Sequence, residues 1–168
     1  MGKRLTQQKR GKGSTTYRAP SFRWHGAAKI PEQGKGQIVD LMNSQPHSAP
    51  VMVIKYDNNL YGLQIAPHGI RVGDQINIAE KTRLKPGNSM ELRNIPEGTT
   101  IYNIELKPGD GGKLIRASGQ AARIITKTGN KVIVVLTSKK KKEFNPDCKA
   151  SIGVVAGGGR KEKPFLKA

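Results

Sequence analysis

The pattern that most limits this chain is one it lacks. Nowhere does an apolar stripe of helical period run for a dozen residues. Short β-branched runs recur instead at roughly 8–12-residue spacing, cut by Gly, Pro, Asn and Asp. Residues 36–42, 51–56, 60–66 and 75–78 read as one series of strands, and residues 100–106, 121–126, 131–137 and 149–155 as a second. Asp57-Asn58-Asn59 makes a hairpin of the second and third runs, and Lys127-Thr128-Gly129-Asn130 turns another. The expectation is an all-β protein of two small barrels. The tetrapeptide Leu-Lys-Pro-Gly occurs at 84–87 and 106–109 and reads as one turn solution used twice, since Pro presets φ and Gly permits positive φ.

Charge then divides the chain. Its 168 residues carry a formal net charge of +18, unevenly placed. Residues 1–30 hold eight cations and no acid, residues 31–112 eight cations and nine acids, residues 113–138 five cations and no acid, and residues 139–168 nine cations and three acids. The reading is an extended basic arm over 1–33, a first barrel over 34–83, a second over 84–158 and a basic extension over 159–168. The arm is broken by Gly11, Gly13, Pro20, Gly26 and Pro31, and is expected to order only against a partner.

A polyanion is the simplest partner, because cations that meet phosphates release condensed counterions. Arm candidates for RNA contact are Lys3, Arg4, Lys9, Arg10, Lys12, Arg18 and Arg23, with Trp24 stacking on an unpaired base. Phe22 and Trp24 have a competing reading as an apolar anchor onto the first barrel. Residues 113–123 place Lys113, Arg116, Ser118 and Arg123 among small and apolar neighbours, after a Gly111-Gly112 pair that would let the loop hug RNA. An ordinary solvated strand face is the plainer alternative. Lys107, the run Lys139, Lys140, Lys141 and Lys142, and the pair Arg160 and Lys161 complete the set. The glycines at 157–159 read as a flexible run for close approach to RNA. Lys55, in the charge-balanced first barrel, is expected to be silent.

Other chemistries find little support. The longest apolar run, Val132-Ile133-Val134-Val135-Leu136, is far short of a membrane helix, and no apolar segment follows the basic start to make a secretory signal. His25, His47 and His68 lack metal-ligand spacing, and no nucleophile elbow or Walker loop is present. The expectation is no enzyme, no cofactor, no metal and no small-molecule substrate. Cys148 reads as a buried small residue at a strand start.

The combination Lys85-Pro86-Gly87-Asn88, Asn94-Ile95-Pro96-Glu97-Gly98-Thr99, Asn103-Ile104-Glu105 and Arg116-Ala117-Ser118-Gly119 resembles the large-subunit ribosomal protein two family, the universal L-two proteins. The opening MGKRLTQQKRGKGSTTYRAP and the late IGVVAGGGRKEKPFLKA are similar to its archaeal and eukaryotic branch. The resemblance implies an OB-like barrel followed by an SH3-like barrel, with extended basic tails at both ends. It implies a structural constituent of the cytoplasmic ribosome that binds large-subunit rRNA, with neighbouring ribosomal proteins and small-subunit rRNA at the subunit interface as further partners. It associates such proteins with assembly, subunit joining, tRNA binding and the peptidyl-transferase region. It also implies a Gly-rich, His-containing stretch beyond position 168, which this sequence does not contain, so no peptidyl-transfer role is carried onto a residue here. A soluble translation factor built from the same two barrel types is the alternative.

Overall fold

Alternating burial builds the sheet. In the first strand, β1 (Gly34–Met42), Gly36 and Ile38 turn inward while Lys35, Gln37 and Val39 face solvent. The computed structural model describes Gly2, residues 5–18 and 24–159, Glu162 and Pro164. After β1 come β2 (Val51–Tyr56), β3 (Tyr61–Ile65) and β4 (Gln75–Ile78). Here β1 pairs antiparallel with both β2 and β4, and β2 with β3. The second series is β5 (Ser89–Glu91), β6 (Thr100–Tyr102), β7 (Ala122–Thr128), β8 (Lys131–Val135), β9 (Lys141–Phe144) and β10 (Lys149–Ile152). All ten strands form one sheet in the order β3-β2-β1-β4-β5-β10-β6-β7-β8-β9. The two series meet at one parallel pair, Ile78 opposite Ser89. Bulges in β1 between Ile38 and Asp40, and in β7 between Ile124 and Thr126, add local twist that lets the sheet wrap its contents.

Each series encloses its own apolar cluster. Ile38, Met52, Ile54, Ile76 and Ile78 fill the first; Met90, Leu92, Ile101, Ile104, Ile124 and Val134 fill the second. Burying one such side chain contributes about 1.5–3 kcal/mol, so each cluster is a substantial core. A third cluster joins them: Ala28, Ala49, Val51, Ile65, Tyr102 and Val155. Tyr102 is fully buried, and its hydroxyl donates to the Ile65 carbonyl at 3.2 Å, tying β6 to β3. Burial pushes that phenol's pKa far above its ordinary value, so it stays a neutral donor. The segment after β10 returns to the first series. Ala156 N–H donates to the Ala66 carbonyl at 2.9 Å and His68 N–H to the Val154 carbonyl at 2.8 Å.

The sequence reading departs from this structure in particular places. Two strands, β5 and β9, lie where the sequence reading placed none. The run expected over 100–106 stops at Tyr102, because Asn103 takes a left-handed φ of 49°. The last strand ends at Ile152, where Gly153 takes φ 116°. The arm is not uniformly extended: Thr6–Gly11 is a short helix, α1, and Thr15–Tyr17 a 3-10 turn, neither burying a residue. Ala28 and Ile30 are core residues; the Ile30 N–H donates to the Gly111 carbonyl at 2.8 Å, and the Ala28 carbonyl accepts from Arg116 at 2.9 Å. The repeated Leu-Lys-Pro-Gly does use one solution twice, with Gly87 at φ 92° and Gly109 at φ 80°.

Candidate nucleic-acid interface

Two carboxylates shape the loop that follows β6. Glu105 is buried, yet three backbone N–H groups donate to it: Lys149 at 2.8 Å, Gly111 at 3.1 Å and Gly109 at 3.3 Å. Such donors offset the cost of removing the carboxylate from water. Asp110 accepts from Leu106 N–H at 3.1 Å, Lys107 N–H at 3.3 Å and Gly112 N–H at 3.0 Å. Burial alone would raise the Asp110 pKa; those three N–H groups and the Lys113 ammonium outweigh it and hold the carboxyl below its ordinary value. With its backbone closed inward, the loop leaves Lys107 and Lys113 exposed. Lys113 Nζ lies 3.8 Å from Asp110.

The Gly111-Gly112 pair faces the protein rather than a ligand. Both glycines are buried with φ of 80° and 86°. A Cβ on Gly112 would lie 2.5 Å from Asn103 Oδ1 and 2.7 Å from its carbonyl oxygen. Gly158 behaves alike, since a Cβ on Gly119 would lie 2.6 Å from Gly158 Cα, where two backbones cross. Close approach is real in both places, but protein backbone is what approaches.

Residues 113–121 are not a strand but an irregular passage with one bridge, Leu114 to Ile104. Ile115 is held at φ 53°, a costly conformation for a β-branched residue, and its carbonyl accepts from Asn103 N–H at 2.9 Å. That kink sends Arg116 inward. The guanidinium is half-buried and donates to the Gly112 carbonyl at 3.1 Å and the Ala28 carbonyl at 2.9 Å. Burial lowers its pKa. Nearby, burial and then the Arg116 charge lower the His47 pKa, and His47 Nδ1 shares a 2.9 Å hydrogen bond with Ser44 Oγ. Ser118 is half-buried, its N–H donating to Ser48 Oγ at 3.2 Å. Arg116 is therefore an internal clasp between loop and arm, which sequence could not reveal because its partners are carbonyls 4 and 88 positions away.

Arg123 is different. On β7 it points outward while Ala122 and Ile124 point inward. Its cross-strand partner on β8 is Val135, whose partner on β9 is Lys141. Paired residues share a face, so Arg123 and Lys141 stand in one outward row, two strand spacings or about 10 Å apart. Lys139 turns the β8–β9 hairpin at φ 63°, with Lys140 beside it; both are exposed, as are Lys141 and Lys142. The Lys142 ammonium sits 5.5 Å from the Phe144 ring centroid. In the arm, Lys9, Arg10, Lys12 and Arg18 are exposed, and the Arg10 guanidinium lies 5.6 Å from the Tyr17 ring centroid. Trp24 is 58% exposed, so it does not anchor the arm by burying its ring. Lys3, Arg4, Phe22, Arg23, Arg160 and Lys161 lie outside the described residues.

Sequence reading passed over Glu105 and Asp110, which do more to shape the site than any cation. The signal was present in Asp110-Gly111-Gly112, a typical Asx-turn string. Cys148 is buried as expected, and burial together with the charges of Glu105 and Asp110 pushes its thiol up to about 11, leaving it unreactive.

The family described as Ribosomal Proteins L2, C-terminal domain, matches residues 85–168. The large ribosomal subunit protein uL2 of Methanothermobacter thermautotrophicus is 48% identical to this chain, over all of it and 73% of the relative. That of Methanocaldococcus jannaschii is 47% identical with the same coverage, and that of Haloquadratum walsbyi 44% identical over all of this chain and 71% of the relative. With the strand-built body, the carboxylate-shaped loop and the outward cation row, this similarity places the chain in the uL2 family of large ribosomal subunit proteins.

Proposed function

We propose that this chain grips large-subunit rRNA through Lys107, Lys113 and the outward row of Arg123 and Lys141, extended by Lys139, Lys140 and Lys142 and by the cations of the arm. As a uL2 family member it is a structural, non-enzymatic constituent of the large ribosomal subunit in the cytoplasm. One observation carries the residue assignment. Arg123 and Lys141 stand unpaired, among the described residues, on the solvent face of strands whose other face is core. Such a row can meet phosphates without disturbing the fold. Lys131 shows the contrast, because it is already bound to Glu143 at 2.6 Å. In this reading Arg116 supports the interface by holding loop and arm together. The two strand series act as the two binding units, 34–83 and 84–158. Neighbouring ribosomal proteins, and small-subunit rRNA where the subunits join, are the remaining partners that family membership supports.

The test is affinity for a large-subunit rRNA fragment at fixed salt. The Arg123→Ala/Lys141→Ala variant should lose about 1–3 kcal/mol of binding for each phosphate it no longer meets, while Lys131→Ala binds nearly as the parent does. Equal, small effects from both variants would remove the row from the interface.

A further inference from the structure

The loop that presents Lys107 and Lys113 contains a chemically fragile bond. Asp110-Gly111 is the sequence's one Asp-Gly pair, and Asn-Gly occurs nowhere in it. Where Gly follows Asp, no Cβ shields the main-chain nitrogen. That nitrogen can attack the protonated Asp carboxyl. A bond then forms between Gly111 N and Asp110 Cγ, the carboxyl loses its OH, and the N–H proton leaves with it as water. The five-membered succinimide reopens by adding one water. Opening at one carbonyl restores aspartate. Opening at the other gives isoaspartate, whose main chain runs through Cβ and Cγ. The step needs no oxidant, reductant or enzyme.

The fold withholds each part of this reaction. Glu105 Oε1 accepts the Gly111 N–H at 3.1 Å, so the attacking nitrogen is turned to a buried carboxylate. Glu105 is itself fixed from β10, where Lys149 N–H donates to it at 2.8 Å. The arm closes over Gly111: Ile30 N–H donates to the Gly111 carbonyl at 2.8 Å, and an added Cβ would lie 3.0 Å from Lys29 Cβ. Both Asp110 oxygens are held too. Oδ1 accepts from Gly112 N–H at 3.0 Å, and Oδ2 from Leu106 N–H at 3.1 Å and Lys107 N–H at 3.3 Å. Turning the carboxyl onto Gly111 N would break these bonds. The same donors favour the ionised carboxylate, which has no OH to lose.

We propose that Asp110-Gly111 is a latent isoaspartate site, guarded in the native chain by Glu105 and released when the loop opens. Isoaspartate there adds a methylene to the loop's main chain and takes the carboxylate away from its three N–H donors, so Lys107 and Lys113 lose their common support. The product is a substrate for S-adenosylmethionine-dependent methyltransferases that recognise isoaspartyl carboxylates. The inference stands whether or not Lys107 and Lys113 meet RNA.

The full chain is aged at neutral pH, folded and in urea, beside Glu105→Gln, with thermal melting to check each fold. Trypsin then releases residues 94–113, in which Asp110 is the sole aspartate. Electron-transfer fragmentation identifies isoaspartate in that peptide, and methyl transfer by an isoaspartate methyltransferase counts it. The parent in urea should form isoaspartate at least about tenfold faster than the folded parent, because local opening exposes a protected site in only a minority of molecules. Folded Glu105→Gln should form it about tenfold faster than the folded parent, the order set by hydrogen bonds to a charged acceptor. Where Glu105→Gln does not fold, the parent decides. Folding should suppress its isomerisation at least as strongly as it suppresses Gly111 amide exchange, since both need that N–H free. The proposal fails if the unfolded parent forms no isoaspartate at this bond, or if the folded parent forms it as fast as the unfolded. It fails equally if a folded Glu105→Gln chain is as slow as the parent, or if isomerisation is less suppressed than Gly111 exchange.

Discussion

Arg116 and Arg123 look alike in sequence, each a cation among small or apolar neighbours without a nearby acid, and the structure gives them opposite work. Removing Arg116 leaves the Gly112 and Ala28 carbonyls without their donor in a half-buried place. Arg116→Ala should therefore lower stability by about 1–3 kcal/mol, seen as a lower urea midpoint at unchanged slope. Arg123→Ala should stay within about ±0.5 kcal/mol, as exposed substitutions do. An Arg116 variant as stable as the parent would deny the clasp. A second residue-scale test is Gly112→Ala. The added methyl needs space held by Asn103 and a φ of 86°, so a loss of about 1–3 kcal/mol is expected, with shifted NMR resonances at Lys113. Asn103 is itself costly, because among the described residues neither polar atom of its buried amide has a partner. Its tolerance of the left-handed region accounts for its presence there.

The strands whose residues alternate cleanly were readable: β1, β2, β3, β4, β7 and β8 lie within one or two residues of where period-two patterns put them. What escaped has a physical reason in each case. β5 is three residues long, too short to show a period, and is held by Lys149 and Ser151 of a strand sixty positions later. β9 is a run of charge, Lys141-Lys142-Glu143, ending in Phe144; only its pairing to β8 makes it a strand. As the sheet's outer strand it also gains from lysines that discourage edge-to-edge pairing, so its cations have a structural use beside any RNA contact. The loop over 105–113 carries a prediction of its own. Asp110 has a lowered pKa, so its contribution is present above the ordinary value of 3.8 and is lost as pH falls through the lower folded value. Amide protection factors at Leu106, Lys107 and Gly112, relative to intrinsic exchange at each pH, should fall below that pH, and Asp110→Asn should show the low protection already at neutral pH. Protection that ignores pH across this window would mean the carboxylate does not order the loop.

For the whole molecule the dominant expectation is ionic. If six to ten phosphates are neutralised, rRNA affinity should fall roughly 10³–10⁵-fold between 50 and 200 mM salt, and a flat response would exclude a phosphate-driven interface. The totals behind this were legible in the sequence; the spatial sorting was not, because folding moved cations and acids that alternate along the chain onto different surfaces. The return of the segment after β10 adds a consequence in time. Ala66 and Pro67, in the first strand series, receive their partners Ala156 and Val155 from some ninety positions later in the chain. At a synthesis rate of ~5–20 residues per second, roughly 5–18 seconds separate the emergence of these two edges. For that interval the nascent first series has a backbone edge with nothing to pair and an apolar junction without Val155 to cover it. The half that is made first is the half that is finished last.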